Sequence, residues 1–285
     1  MAMDKVLKRW FPLFVVPTLG AFIVGFIWPF IQGVYLSLCQ FTTVNDAVFN
    51  GLSNYQKAFS DSTFGDAFWF TVKFAVVSTL LINICAFFIA LALTSKLKGR
   101  NIFRTVFFMP NLIGGIVLGY IWNILLNAAL SLVGQPLLQL NTKAGYWGLI
   151  ILMCWQQIGY MMIIYIAGLQ NVPGELLEAS KIDGATPWQT MLKIKIPMIM
   201  PSITICLFLS ITNSFKLFDQ NLSLTAGEPM KTTEMLALNI TNTFYARSGP
   251  LWKGIGQAKA TVFFFLVVVI ALTQLYATRR KEVDA

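Results

Sequence analysis

The sequence predicts an all-α membrane protein with six transmembrane helices, and two observations support this fold class. Of the 285 residues, 56% are hydrophobic and only 12% are charged, and the mean hydropathy is +0.68. A soluble domain would carry about 25% charged residues, because its surface must face water. The apolar residues also fall in long blocks, and one membrane crossing needs roughly 20 such residues. Since lipid cannot satisfy an open backbone, each block is expected to be helical.

Six apolar blocks define the predicted spans. The polar segments between them are too short to form a separate domain. One transmembrane domain is therefore predicted over residues 1–285, with its core at about 67–278. The spans are expected at about 12–38, 67–95, 102–127, 146–170, 200–224 and 256–278.

The distribution of basic residues predicts that both termini lie in the cytoplasm. Short cytoplasmic segments carry an excess of Lys and Arg. With the N-terminus inside, the two termini and the inner loops together carry more Lys and Arg residues than the outer loops. These inner residues are Lys5, Lys8, Arg9, Lys96, Lys98, Arg100, Arg104, Lys181, Lys193, Lys195, Arg279, Arg280 and Lys281.

No catalytic motif, phosphate-binding loop or metal-ligand cluster is recognisable. The chain has no histidine, and its four cysteines lack the spacing of a metal or redox motif. We therefore predict a transport subunit that is not an enzyme, with no catalytic or metal-binding residues. The energy for transport must then come from an ion gradient or from another subunit.

The connection between the fourth and fifth spans, at about 171–200, predicts a helix–turn–helix elbow on the cytoplasmic side. A first helix is expected to follow Pro173, with Gly184 just beyond its end. A second is expected to begin at Pro187 and run toward Pro197. Thr186 suits its N-cap, and Gln189 completes a capping box.

The spacing of this elbow closely resembles the EAA loop of ABC importer permeases, E-A-A-x3-G-x9-I-x-L-P. The matching residues are Glu178-Ala179-Ser180, Gly184 and Ile194-Lys195-Ile196-Pro197. Ser180 stands where the family has Ala, and Ile196 stands where it has Leu. The stretch from Glu178 to Trp188 is similar to the version found in carbohydrate-uptake permeases.

A second segment is similar to the F-K-x-F-D…L-T-G-G-G-P stretch of sugar permeases. That family includes the lactose, raffinose, multiple-sugar and glycerol-3-phosphate systems. Here the segment reads Phe215-Lys216-Leu217-Phe218-Asp219, followed by Leu224-Thr225-Ala226-Gly227-Glu228-Pro229. Ala226 and Glu228 depart from the glycines of the family, so a stiffer loop is expected.

The resemblance implies a MetI-like ABC importer permease fold in a prokaryotic cell membrane. It also implies a second permease subunit, as a heterodimer, two ATP-binding subunits and an extracytoplasmic sugar-binding protein. ATP and Mg²⁺ would be bound by the ATPase subunits, with no cofactor in this chain. The ATPase-coupling residues implied are Glu178, Ala179, Ser180, Asp183, Gly184, Pro187, Ile194 and Pro197.

A sugar pathway through such a bundle needs polar and aromatic side chains within the spans. Charged residues in a span are costly, so Lys216 and Asp219 are expected to act in transport or to neutralise each other on one helix. Helix packing is the competing role for every residue of this set. The candidates are Asn83, Tyr120, Asn123, Gln156, Tyr160, Asn213, Phe215, Lys216 and Asp219.

The predicted function is a permease subunit for a carbohydrate, with an oligosaccharide as the expected substrate. Glycerol-3-phosphate or another small solute is the alternative within the same class. An ion-coupled secondary transporter would usually show internal repeats and more spans. Neither that class nor a membrane anchor without transport accounts for the elbow.

Overall fold

The structure, a computed structural model, describes residues 2–95 and 97–280, with the backbone alone at positions 2–9 and 14. Several basic residues used above to predict the orientation lie outside this description. They are the side chains of Lys5, Lys8 and Arg9, together with Lys96 and Lys281. The cytoplasmic location of both termini stays a prediction.

Helices make up most of the described chain. The first seven are α1 (Ala2–Phe22), α2 (Trp28–Leu36), α3 (Ser53–Ser60), α4 (Ser62–Thr94), α5 (Arg100–Phe108), α6 (Gly115–Leu132) and α7 (Thr142–Gln170). The next seven are α8 (Gly174–Ile182), α9 (Pro187–Thr190), α10 (Ile196–Met198), α11 (Met200–Phe215), α12 (Asp219–Leu224), α13 (Leu236–Thr241) and α14 (Pro250–Arg279).

Short irregular helices and one hairpin complete the described elements. A π-helical turn, Ile23–Ile27, joins α1 to α2, and another, Met191–Lys195, joins α9 to α10. The antiparallel strands β1 (Cys39–Gln40) and β2 (Val48–Phe49) pair Cys39 with Phe49. The remaining elements are the π-turn Asn242–Ala246 and the 3₁₀ turns Val44–Asp46, Met109–Leu112 and Leu138–Leu140.

The described helices confirm a protein of several membrane spans. Among the described residues, five helices are long and apolar enough to cross a membrane, and the number is six if one bent pair of helices is counted as a single span. The pair is Pro187–Met198 with Met200–Phe215, which meet at 70°. The single helices are Trp10–Leu36, Ser62–Thr94, Gly115–Leu132, Thr142–Gln170 and Pro250–Arg279.

The third span differs from the sequence prediction of 102–127. Helix α5 ends at Phe108, a 3₁₀ turn covers Met109–Leu112, and the spanning helix α6 begins only at Gly115. Pro110 has no N–H for a continuous helix, and Gly114 is extended, with φ −60° and ψ 140°. One apolar block therefore contains two helices, and only the second is long enough to span.

The fifth span is also shorter than the predicted 200–224. Helix α11 ends at Phe215, and α12 begins at Asp219. The expectation that Lys216 and Asp219 lie three apart on one helix is therefore wrong. These two described residues form no ion pair with each other, and the Lys216 side chain is exposed.

The chain forms two compact units. The first comprises the described residues of 1–61 and 240–263. Within it, the buried Asn54 amide donates to the carbonyls of Ser37 and Cys39 and so holds the start of the hairpin. Lys259 is fully buried, and its Nζ lies 2.8 Å from Asp61 Oδ2. This pair compensates a charge that burial alone would penalise by several kcal/mol, on the order of 3–5.

The second unit comprises the described residues of 62–239 and 264–285, and its core lies where α4, α7 and α11 meet. Phe74 and Ile82 of α4 are fully buried beside Leu152 and Met161 of α7 and Cys206 of α11. Between helices in lipid, close van der Waals packing replaces the hydrophobic effect as the main attraction. Complementary shape in this core is therefore central to the stability of the bundle.

A buried set of hydrogen bonds joins the same three helices. Asn83 Nδ2 donates to Ser210 Oγ at 2.8 Å, and Tyr165 Oη donates to Asn83 Oδ1 at 2.7 Å. One helical turn further along α4 and α11, the Ser78 and Ser214 hydroxyls lie 2.9 Å apart. We call these five residues the polar seam. Each polar atom finds its partner within the protein, as a water-free interior requires.

Small residues allow two backbones of this unit to come unusually close. A Cβ atom at Gly159 of α7 would lie 1.8 Å from the carbonyl oxygen of Phe107 in α5. No side chain rotation can relieve that contact, because the obstructing atoms belong to the backbone. Gly159 is therefore required for the packing of α5 against α7.

We expect Gly159→Ala to destabilise the protein by about 1–3 kcal/mol, the usual cost of overpacking. The measurement is the melting temperature of the purified full chain, determined by fluorescence-detected size-exclusion chromatography. Gly65→Ala in α4 is the matched control, because a Cβ there meets nothing within 4 Å. Equal melting temperatures for the two variants would contradict the packing role of Gly159.

Candidate functional site

The elbow between α7 and α11 begins with α8, and α8 ends just before Gly184, as the sequence predicts. Gly184 adopts a φ of +73°, which non-glycine residues rarely adopt. The N–H of Gly184 bonds to the carbonyl of Lys181, and the N–H of Ala185 bonds to that of Ser180. These bonds satisfy the last carbonyls of α8 and turn the chain toward α9.

The second half of the elbow begins with the predicted capping box. Gln189 N donates to Thr186 Oγ1 at 3.2 Å, and Thr186 N donates to Gln189 Oε1 at 2.8 Å. Pro187 occupies the first helical position, where a missing N–H costs nothing. The helix continues through a π-turn to α10, which contains Pro197, before the bend into α11.

The eight predicted coupling residues divide into an outward set and an anchoring set. Five have exposed side chains or, for glycine, an exposed backbone, and three are buried or half-buried. The exposed residues are Glu178, Ala179, Asp183, Gly184 and Pro187, and the others are Ser180, Ile194 and Pro197. The first set is therefore the more accessible to a partner protein.

Ser180 has a specific structural role inside the elbow. Its hydroxyl donates to the carbonyl of Leu177 at 2.9 Å and accepts from Thr190 Oγ1 at 3.4 Å. The second contact links α8 to α9. An alanine, the residue usual at this position of the motif, could form neither bond.

The structure also leaves four large apolar side chains of the elbow exposed, which the motif did not indicate. Ile182 and Trp188 are 87% and 68% accessible. We call the four residues the apolar elbow face. Where exposed apolar side chains form a contiguous patch, the patch commonly marks a protein contact. The face consists of Leu176, Ile182, Trp188 and Leu192.

Among the predicted pathway residues, Asn83 is part of the polar seam. Its amide donates to Thr79 O and Ser210 Oγ and accepts from Tyr165. These bonds use most of its hydrogen-bonding capacity. Its geometry therefore supports a structural role, which was the competing interpretation.

Gln156 and Gln220 bring α7 and α12 together. Gln220 Nε2 donates to Gln156 Oε1 at 2.7 Å, and Gln156 Nε2 donates to the carbonyl of Ile113 at 3.3 Å. Beside Gln156 along α7, Gln157 accepts a long bond, 3.4 Å, from Asn213 of α11. These amides form a polar cluster on three elements, and one of its bonds is long enough to be exchanged easily.

The other predicted pathway residues differ in exposure and have different contact partners. The amide of Asn123 donates to the carbonyl of Leu224, which ties α6 to α12. Tyr120 is 61% exposed, whereas Tyr160 is half-buried, with its ring centroid 6.5 Å from that of Phe108. Phe215 is buried, Lys216 is exposed and Asp219 is half-buried.

The segment after α12 is held by side-chain contacts. Asn221 Nδ2 donates to Thr233 O, and Asn221 Oδ1 accepts from Met235 N, so one buried amide closes the loop. Ala226 adopts a φ of +52° and Gly227 one of +83°. The alanine therefore occupies a backbone conformation that glycine adopts at lower cost.

The sequence and fold are similar to those of known transport proteins. The family described as "Binding-protein-dependent transport system inner membrane component" matches residues 88–282. The chain is 42% identical to the "Probable starch degradation products transport system permease protein AmyD" of Thermoanaerobacterium thermosulfurigenes over 282 residues, 96% of each protein. It is 30% identical to the "Multiple sugar-binding transport system permease protein MsmF" of Streptococcus mutans, over 99% of this chain and 100% of that protein.

A solved structure has the same fold. A chain of a bacterial ABC transporter involved in the import of the acidic polysaccharide alginate superposes with a TM-score of 0.81. The match covers 98% of this chain and 99% of that one, at 21% identity. The predicted permease fold is thereby confirmed. The chain belongs to the family of inner membrane components of binding-protein-dependent transport systems.

Proposed function

We propose that this chain is a permease subunit of an ATP-driven importer for a carbohydrate, with an oligosaccharide as substrate. The observation that supports this substrate class most strongly is the full-length similarity to AmyD, whose name refers to starch degradation products. The chain would form half of the translocation pathway in a prokaryotic cell membrane. Glycerol-3-phosphate remains the alternative substrate.

The complete importer would contain four further proteins. A second, homologous permease would supply the other half of the pathway as a heterodimer, and an extracytoplasmic sugar-binding protein would deliver the substrate. Two ATPase subunits would bind ATP and Mg²⁺. This chain would have no cofactor and catalyse no reaction, and it would convert the movements of the ATPase subunits into opening and closing of the pathway.

The elbow is the proposed contact with an ATPase subunit. The apolar elbow face offers Trp188 and Ile182 for burial, and Glu178 can pair with a basic residue of the partner. The capping box of Thr186 with Gln189 and the backbone bonds that end α8 at Gly184 and Ala185 make the elbow a stiff unit. A stiff elbow passes a displacement to α7 and α11 without first being deformed.

The substrate class is tested by uptake into vesicles that contain the complete importer. We expect ATP-dependent uptake of a starch oligosaccharide such as maltotriose, and no uptake of glycerol-3-phosphate. The measurement is accumulation of the labelled solute, with vesicles lacking ATP as the control. Uptake of glycerol-3-phosphate alone would overturn the carbohydrate assignment while leaving the permease assignment intact.

We expect Trp188→Ala to weaken ATPase binding by about 30-fold, because truncating an interface tryptophan typically costs about 2 kcal/mol. The melting temperature should not change, since the side chain is 68% exposed. The measurements are affinity for the ATPase subunit and substrate-stimulated ATP hydrolysis. Trp69→Ala, at a residue 62% exposed in α4, is the matched control. Normal coupling in the Trp188 variant would contradict the proposed contact.

For the pathway, we propose that the amide cluster of Gln156, Gln157, Asn213 and Gln220 exchanges its internal bonds for bonds to sugar hydroxyls. The long bond between Asn213 and Gln157 supports this, since little is lost when it opens. The seam residue Asn83 serves as the structural contrast. Its bonds join the helices and are short.

We therefore expect Asn213→Leu to lower the rate of maltotriose uptake by about 10-fold, which corresponds to about 1.4 kcal/mol of hydrogen bonding. ATPase binding and melting temperature should be retained, because within the described structure the only side-chain bond lost is the long one to Gln157. Asn83→Leu, a matched amide-to-leucine change, should instead lower the melting temperature. If both variants lost stability and uptake in parallel, the pathway role of Asn213 would be refuted.

A further inference from the structure

A charged pocket lies between the end of α3 and the beginning of α14. Its volume is about 320 Å³, and its lining includes Lys57, Asp61, Arg247, Leu251, Trp252 and Ile255. The two lining segments precede the predicted spans 67–95 and 256–278, and both connections are outer ones in the predicted orientation. In that orientation the pocket faces the compartment from which the proposed importer receives its substrate.

The lining of this pocket carries more positive than negative charge. Lys57 and Arg247 are its cations, and Asp61 is its carboxylate. Asp61 Oδ2 is already paired with the buried Lys259 at 2.8 Å, and it lies 3.4 Å from Arg247 Nη1. Lys57 is exposed and forms no ion pair within the described part of the chain. The excess of positive charge favours a negatively charged ligand.

Arg247 is held in position while most of its donors stay available. The Cζ atom of its guanidinium lies 4.3 Å from the centroid of the Trp252 ring, a cation–π contact that fixes the side chain. Among the described residues, a single N–H donor of Arg247 reaches an acceptor, Asp61 Oδ2, at 3.4 Å. Charge-assisted bonds are usually shorter, about 2.7–2.9 Å. Because the Arg247 side chain is 27% exposed, an incoming carboxylate can bind it without displacing a short bond.

We propose that this pocket receives an acidic side chain of the extracytoplasmic binding protein, whose carboxylate binds Arg247 and Lys57. The inference rests on the proposed function and identifies one contact of the protein that delivers the substrate. A protein ligand is favoured over a lipid phosphate because the family is described as binding-protein-dependent, and delivery requires that protein to dock on the outer side. Leu251 and Trp252, which are half-buried in the lining, would pack against the methylene groups of the acidic side chain.

The test is the affinity of the complete importer, in detergent, for the maltotriose-loaded binding protein that is encoded beside it, measured by biolayer interferometry. We expect Arg247→Gln to weaken this affinity by about 10-fold, because the partner's carboxylate loses a charge-assisted contact. The difference from the wild type should shrink at high salt, which screens the attraction. Lys143→Gln is the charge-matched control, since Lys143 is exposed and does not line the pocket. It should bind as the wild type does.

Lys57→Glu provides a second test if Arg247→Gln does not fold, because the Lys57 side chain is exposed. It places a negative charge in the pocket and should also lower the affinity by about 10-fold, with Lys143→Glu as its control. Wild-type affinity in a folded pocket variant would overturn the proposal, as would an equal loss in the matched control. If the pocket variants lost bound phosphatidylglycerol in native mass spectrometry but kept their affinity for the binding protein, the pocket would be a lipid site and the proposal would be wrong. A wild-type importer that does not bind the protein would overturn the proposed function as well.

Discussion

The polar seam between α4, α7 and α11 is the interaction on which the larger unit depends. In lipid, apolar side chains gain little by meeting one another instead of acyl chains, so hydrophobicity alone does not select one arrangement of helices. Hydrogen bonds do select one arrangement, because they are directional. Asn83 reaches both Ser210 and Tyr165, and the pair of Ser78 and Ser214 repeats the connection one turn away. Any sliding of these helices would leave several buried polar groups without partners.

The seam connects the elbow to the pathway candidates. The elbow lies between α7 and α11, and both of these helices are bonded through Asn83 to α4. A displacement applied at the apolar elbow face would therefore move a bonded group of helices and not a single flexible one. The amide cluster of Gln156, Gln157, Asn213 and Gln220 lies on α7, α11 and α12, so the same movement would reach the proposed sugar contacts.

Several features were predictable because they depend on local sequence. The elbow is an example, since Gly184, Thr186 and Pro187 act on their own backbone and that of the next few residues. Residues of the same chemical type were harder to tell apart, because their roles depend on partners that are distant in the chain. Asn83 and Asn213 are both amides within apolar blocks, and only their contacts separate a seam residue from a pathway candidate. The helix break after Phe215 contains no proline or glycine from which it could have been predicted.

By itself, the sequence determined the class of the protein, the number of apolar blocks and the position and caps of the elbow. Composition, block length and local capping do not require knowledge of what packs against what. Only the tertiary structure decided that the third block contains two helices, that Trp188 is exposed and that Asn83 bonds to two other helices. Exposure and hydrogen-bond satisfaction depend on neighbours that are distant in the chain, and a linear pattern does not contain them.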